Sequence, residues 1–210
     1  PVLLVRFIPL WMPGIARSGD SAEPRIYNKG LQLGWGWGAS RLDLDLDGRE
    51  LLPADQRSFD AWANGVDLIC GIGFGPNFRT EFTVYFESHD SPTTDYNTYC
   101  GGIRFDGVFT LKSEWVGQPE LIAGMGWGGL IYETDETPDH IYGWLQGNMG
   151  AGARWRLGDC WSLDGQYVYS ILDVERELIS DIDGEDEEET RFVGGDGRLH
   201  RVSLRLVYDF

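Results

Sequence analysis

The last ten residues, "RVSLRLVYDF" (201–210), alternate almost without fault. Val202, Leu204, Leu206, Tyr208 and Phe210 fall on one side, and Arg201, Ser203, Arg205, Val207 and Asp209 on the other. A period of two marks a β-strand with one apolar and one polar face. The pattern alone leaves the inward face open. In a soluble sheet the apolar face meets a core, and in a membrane barrel it meets lipid.

Seven earlier segments follow the same grammar: "KGLQLGWGWGAS" (29–40), "GVDLICGIGFG" (65–75), "FRTEFTVYFES" (78–88), "YCGGIRFDGVFTL" (99–111), "ELIAGMGWGGLIY" (120–132), "WLQGNMGAGARW" (144–155) and "WSLDGQYVYSIL" (161–172). With the C-terminal strand they make an even set of eight. The connections near 75–77, 112–118 and 157–159 are short, whereas those near 43–64, 88–97, 133–141 and 173–197 are longer or strongly acidic. Short and long connections taking turns predict an up-and-down barrel, trimmed at one end and decorated at the other. No shift in composition divides residues 29–210, which read as one domain.

The chain of 210 residues is 42% hydrophobic, with 29 Gly, 9 Trp and a formal net charge of -17. The apolar share argues against disorder. The acidic balance excludes nucleic acid as a partner, because phosphate would be repelled. No run of eighteen or more apolar residues exists to form a transmembrane helix, but a barrel strand crosses a bilayer with about ten residues of alternating polarity. Residues 1–28 hold a short apolar stretch broken by Arg6, with Gly14 and Ala16 at the spacing of a signal-peptide cleavage site. They read as a signal-peptide remnant or a periplasmic N-terminal arm. Cys70, Cys100 and Cys160 have no CxxC spacing, so zinc is not expected, no metal site is assigned, and the thiols are expected to be free.

Volume decides the orientation. The polar faces carry Arg79, Glu81, Glu87, Arg104, Asp106, Arg154, Asp164, Arg205 and Asp209 beside many glycines. The apolar faces carry Trp35, Trp37, Trp127, Trp155, Trp161, Phe82, Phe86, Phe105, Tyr167, Tyr169 and Tyr208. An eight-stranded lumen is barely wide enough for side chains, and this aromatic set exceeds it. The inverse arrangement fits: paired charges and glycines inside, bulky apolar side chains toward lipid. The expected fold class is therefore an all-β, eight-stranded, antiparallel, up-and-down transmembrane β-barrel. Its lumen would be closed by a charge network of Arg79, Glu81, Glu87, Arg104, Asp106, Arg154, Asp164 and Arg205.

On "GIGFGPNFRTEFTVYF", "GNMGAGARWRLGDCWSLDGQYVYS" and "HRVSLRLVYDF" the sequence resembles the small eight-stranded outer-membrane barrels of the OmpA-like and opacity-protein type, a porin-like β-barrel domain. The resemblance spans roughly residues 29–210. It implies a Gram-negative outer membrane with both termini in the periplasm. It also implies that Val202, Leu204, Leu206, Tyr208 and Phe210 form a C-terminal assembly signal read by the barrel-insertion machinery. Outer-membrane lipid and lipopolysaccharide are the implied surroundings.

Other motifs are weighed beside this frame. "DLDLDG" (43–48) matches the first half of a calcium loop through Asp43, Asp45, Asp47 and Gly48, but Ala54 stands where the bidentate Glu belongs. The same Leu-Asp alternation suits a strand emerging above the membrane. The run "DIDGEDEEE" (181–189) reads as a solvated loop, with weak divalent-cation bridging to lipopolysaccharide as its functional reading. His89, Asp90 and Ser91 are adjacent and cannot share one strand face. No catalytic residue and no cofactor is assigned. The leading expectation is an outer-membrane structural or interaction protein serving envelope integrity, surface display or adhesion. A lipid-A-modifying enzyme using His89 or His140, a small pore and a soluble lipocalin-like barrel are the alternatives.

Overall fold

The computed structural model describes residues 29–46, 58–75, 77–90, 97–111, 117–133, 139–180, 189–191 and 194–210. The expected signal remnant or arm at 1–28 lies outside them. All regular structure among the described residues is β. The strands are β1 (Lys29–Leu46), β2 (Ser58–Phe74), β3 (Phe78–Asp90), β4 (Asn97–Thr110), β5 (Gly117–Glu133), β6 (Asp139–Arg156), β7 (Trp161–Ser180), β8 (Glu189–Arg191) and β9 (Gly195–Asp209).

From β1 to β7 each strand pairs antiparallel with the next, and β9 pairs with both β1 and β7 to close the cylinder. The short β8 pairs with Glu177–Ile179 of β7, on the line that β9 then continues. The two together form the last of eight barrel strands, so the chain is a closed, antiparallel, up-and-down barrel. Closure leaves no open sheet edge, which hydrocarbon would not tolerate. At one end lie the short connections, and there Phe210 N–H donates to the Leu31 carbonyl at 3.0 Å, tying the last residue to the first strand. All the long connections leave from the other end.

The faces sort as volume requires. Trp35, Trp37, Leu68, Phe86, Met125, Trp127, Met149 and Leu204 are exposed on the outer wall, with Leu68 61% accessible. So large an exposed apolar belt has no place in water. From Leu31 to Ala39 strand β1 rises roughly 26 Å at about 3.3 Å per residue. At the ~40° tilt of such barrels this gives an apolar band about 20 Å tall, near the ~25 Å usual for them. Between the outward tryptophans, Gly36 and Gly38 face inward. A Cβ on Gly38 would lie 2.6 Å from Arg201 Nη2, and one on Gly36 2.6 Å from Arg205 Cγ. Bare backbone at these two positions makes the room that the arginines occupy.

All four connections expected to be longer are shorter than the sequence suggested, the first and the last by most. Strand β1 runs on to Leu46, β2 starts at Ser58, β7 reaches Ser180 and β9 starts at Gly195. The strands continue beyond the belt because their alternation inverts: Leu42, Leu44 and Leu46 turn inward and are buried, while Arg41, Asp43 and Asp45 face out. Above the belt the wall is that of a water-soluble barrel. Placing a charge in mid-belt tests this boundary. Leu68→Arg is expected to lower the stability of bilayer-refolded protein by ~2–4 kcal/mol, and Trp62→Arg, above the belt, by ~0–1 kcal/mol, both read from denaturant unfolding.

Candidate functional site

Among the described residues the interior holds five buried arginines (79, 104, 154, 201 and 205) against six buried carboxylates (Asp67, Glu81, Glu87, Asp106, Glu120 and Asp164). The near balance leaves these buried groups with a formal charge of only -1. At the level nearest the short connections, Arg79 on β3 donates from Nη1 and Nη2 to the two oxygens of Glu120 on β5, at 2.5 and 2.9 Å. Its Nε donates to Glu81 at 2.6 Å, and Asp164 on β7 lies 3.3 Å from its Nη2. Arg154 on β6 grips both oxygens of Asp164 at 2.7 and 2.6 Å. Arg205 on β9 pairs with the other oxygen of Glu81 and donates to Gln166 at 2.6 Å. Side chains from β3, β5, β6, β7 and β9 thus meet across the lumen. Bidentate arginine–carboxylate geometry is the strong form of such contacts.

Higher up, Arg104 lies 3.2 Å from Asp106 on its own strand. Asp106 accepts from Asn148 at 3.1 Å, Asn148 accepts from Gln146 at 3.1 Å, and Gln146 accepts from Tyr85 at 2.9 Å and Trp144 at 3.2 Å. Across the lumen Arg201 donates to Asp67 at 2.5 Å and pairs with Glu87, which also accepts from Ser40 at 2.7 Å. The Arg201 guanidinium sits over the Tyr85 ring at 5.1 Å, within cation–π range. Above this lies an apolar cap: Leu42, Leu44, Leu46, Tyr85, Cys100, Leu130, Tyr142, Trp144, Leu172, Val174 and Leu199. The lumen is closed twice, by ions below and by hydrocarbon above.

All eight residues assigned to the lumen from sequence lie inside: Arg79, Glu81, Glu87, Arg104, Asp106, Arg154, Asp164 and Arg205. Three members were missed, namely Asp67, Glu120 and Arg201. Arg201 carried a usable signal, since it shares the polar parity of Arg205 on the terminal strand. Asp67 did not, because both faces of its strand are apolar, with Leu68 outside and Ile69 buried inside. On β9, Val202, Leu204 and Phe210 are exposed, and Leu206 and Tyr208 half-buried, on the outer wall.

Of the two readings of "DLDLDG", the structure shows the strand emerging above the membrane. Asp43 and Asp45 stand on β1 with their partners on β2, Asp60 and Ser58, so the chain there is extended and not wrapped as a loop. Asp47 and Gly48 lie outside the described residues, as do Ser91 and residues 181–188 of the acidic run. The three cysteines are free thiols, with Cys70 on the outer wall, Cys100 inside and Cys160 half-buried. Cys70 on β2 and Cys100 on β4 are separated by β3. His89 is buried in the lumen, and His200 faces out, its Nδ1 2.8 Å from the Tyr167 hydroxyl. On the outer wall above the belt, Arg41 grips Asp60 at 2.8 and 2.7 Å, and those hydrogen bonds hold the Asp60 carboxyl below its usual range. Where the β6–β7 register shifts between Gly143 and Trp144, a groove of about 300 Å³ is lined by Trp127, Gly128, Gly143, Trp144, Leu145 and Glu175.

No protein-family model and no curated protein matches the chain. Solved structures do. Neisserial surface protein A is similar at 14% identity, with a TM-score of 0.51 over 87% of this chain and 100% of that one. The outer membrane protein OprG of Pseudomonas aeruginosa gives 12% identity and a TM-score of 0.51 over 87% and 96%. The attachment invasion locus protein Ail of Yersinia pestis gives 13% and 0.50 over 87% and 99%. The fold is that of the small eight-stranded outer-membrane β-barrels. The inside of this outer-membrane barrel carries the pair of closures just described.

Breaking the lower closure leaves carboxylates buried without their counter-charge. Arg79→Met is expected to cost ~3–5 kcal/mol in denaturant unfolding of the refolded barrel. Arg41→Ala, which removes an exposed pair, should leave the unfolding midpoint unchanged.

Proposed function

We propose that the barrel is a closed, non-conducting scaffold of the Gram-negative outer membrane, with a structural or interaction role carried by its acidic outer end. The observation that supports this most is the doubly shut lumen. A water path would have to part the Arg79–Glu120 and Arg154–Asp164 pairs and then displace the leucines of the cap. An eight-stranded lumen filled by side chains does not conduct by default. The wall above the belt supports display, because Asp43, Asp45, Asp60, Asp173, Glu175 and Asp196 are exposed there on neighbouring strands. Envelope integrity, surface display or adhesion all fit such a rigid acidic end.

Lipid and lipopolysaccharide would surround the belt, and divalent cations would bridge the acidic connections only weakly. No catalytic step is assigned. Assembly by the insertion machinery is supported by the outward Val202, Leu204, Leu206, Tyr208 and Phe210.

Planar-bilayer recording tests closure. Protein whose heat-modifiable gel migration shows it folded should give no discrete conductance steps, and stable openings would overturn the reading. Assembly is tested in cells: Phe210→Ala should lower the folded, heat-modifiable fraction, and an unchanged fraction would remove the assembly role.

A further inference from the structure

Where β3 passes into the cap, three side chains of different chemistry converge. Glu87 and His89 are two residues apart on β3 and therefore point to the same side, into the lumen. Cys100 on β4 is the cross-strand partner of Glu87, and His89 faces Thr98, so the thiol is diagonal to the imidazole. A carboxylate oxygen, a ring nitrogen and the sulfur all lie within 4.8 Å of one another, and all three residues are buried. We propose that Glu87, His89 and Cys100 form a binding site for a borderline-soft divalent transition-metal ion, with zinc the best match.

The donor set selects the ion. Thiolate and imidazole suit zinc and its neighbours, and disfavour calcium or magnesium, which take oxygen ligands. Tetrahedral bonds of ~2.0–2.3 Å place ligand atoms about 3.3–3.8 Å apart, inside the 4.8 Å within which all three lie here. Three protein ligands leave a fourth position open.

The surroundings are built to match. The Ser40 hydroxyl holds one Glu87 oxygen at 2.7 Å, the kind of outer contact that orients a ligating carboxylate. Arg201, the cation paired with Glu87, is also gripped by Asp67 at 2.5 Å, so it keeps a partner when Glu87 turns an oxygen to the metal. Formal charge agrees. Asp67, Glu87 and Arg201 sum to one negative charge, and a divalent ion with one thiolate brings the group to neutrality, the thiol proton leaving to solvent. The strand ends at Asp90, next to His89, so a cation's shortest route is from the end that bears the long connections, past the buried side chains of the cap. Zinc is not expected from the sequence, because its three cysteines have no CxxC spacing. The antiparallel register brings positions 87, 89 and 100 together.

The test uses tag-free, metal-stripped protein refolded in detergent and shown folded by heat-modifiable migration. Titration with Co²⁺ should give one equivalent per chain, with sulfur-to-cobalt charge-transfer absorption that Zn²⁺ abolishes. Cys100→Ser should lose that absorption, and His89→Ala should weaken binding at least about tenfold. Cys70→Ser and Cys160→Ser should behave as wild type. Folded wild type that binds no stoichiometric Co²⁺ overturns the proposal, and so does an absorption that survives Cys100→Ser. X-ray absorption of zinc-loaded wild type needs no variant: one sulfur among nitrogen and oxygen ligands is expected, and a shell without sulfur refutes the site.

Discussion

The width of an eight-stranded lumen governs this molecule. A cylinder that narrow cannot hold the indoles and phenyl rings of its own strands, so they face outward and the interior must be filled with something else. Arginine fills it, folded against glycine and met by carboxylate from across the barrel. A guanidinium does not give up its proton in a protein, so each one taken inside demands counter-charge there. Such pairs are weak evidence for stability, since desolvation offsets much of their attraction. Their stronger effect is on register. A slip of one residue on β3 or β9 would turn Arg79 or Arg205 toward lipid and bring Phe82 or Leu204 into the lumen.

The same chain solves the opposite problem above the belt. There the outside is water, so β1 reverses its pattern without breaking: Gly36 and Gly38 inward give way to Leu42 and Leu44 inward, and Trp35 and Trp37 outward to Asp43 and Asp45 outward. The hydrogen-bonded relay from Asp106 through Asn148 and Gln146 to Tyr85 and Trp144 joins the ionic interior to the apolar one. Tyr85 serves both, its hydroxyl in the relay and its ring under Arg201.

Most of the architecture was legible because period-two patterning is strict wherever one face meets lipid and the other a polar lumen. Strand number, orientation and the eight assigned lumen charges all rest on that contrast. Legibility failed where the contrast reversed or vanished. "DLDLDL" still alternates, but with its faces exchanged, so a search for one continuous apolar stripe ends β1 too early. Asp67 was lost because Leu68 and Ile69 make both parities apolar. Glu120 stood at the edge of a run whose glycines drew the eye to the outward Leu121 and Trp127. The meeting of Glu87, His89 and Cys100 is a fact of strand register, and no linear spacing encodes it.

The reversed upper wall also sets a height. Leu46 lies seven residues beyond Ala39, about 23 Å along the strand and roughly 18 Å along the barrel axis at ~40° of tilt. The first connecting segment therefore departs from a stiff collar standing well clear of the acyl chains. The exposed Asp43, Asp45, Asp173, Glu175 and Asp196 give this collar a negative field that reaches about 8 Å in physiological salt. Cationic visitors are drawn to it and anionic ones turned away.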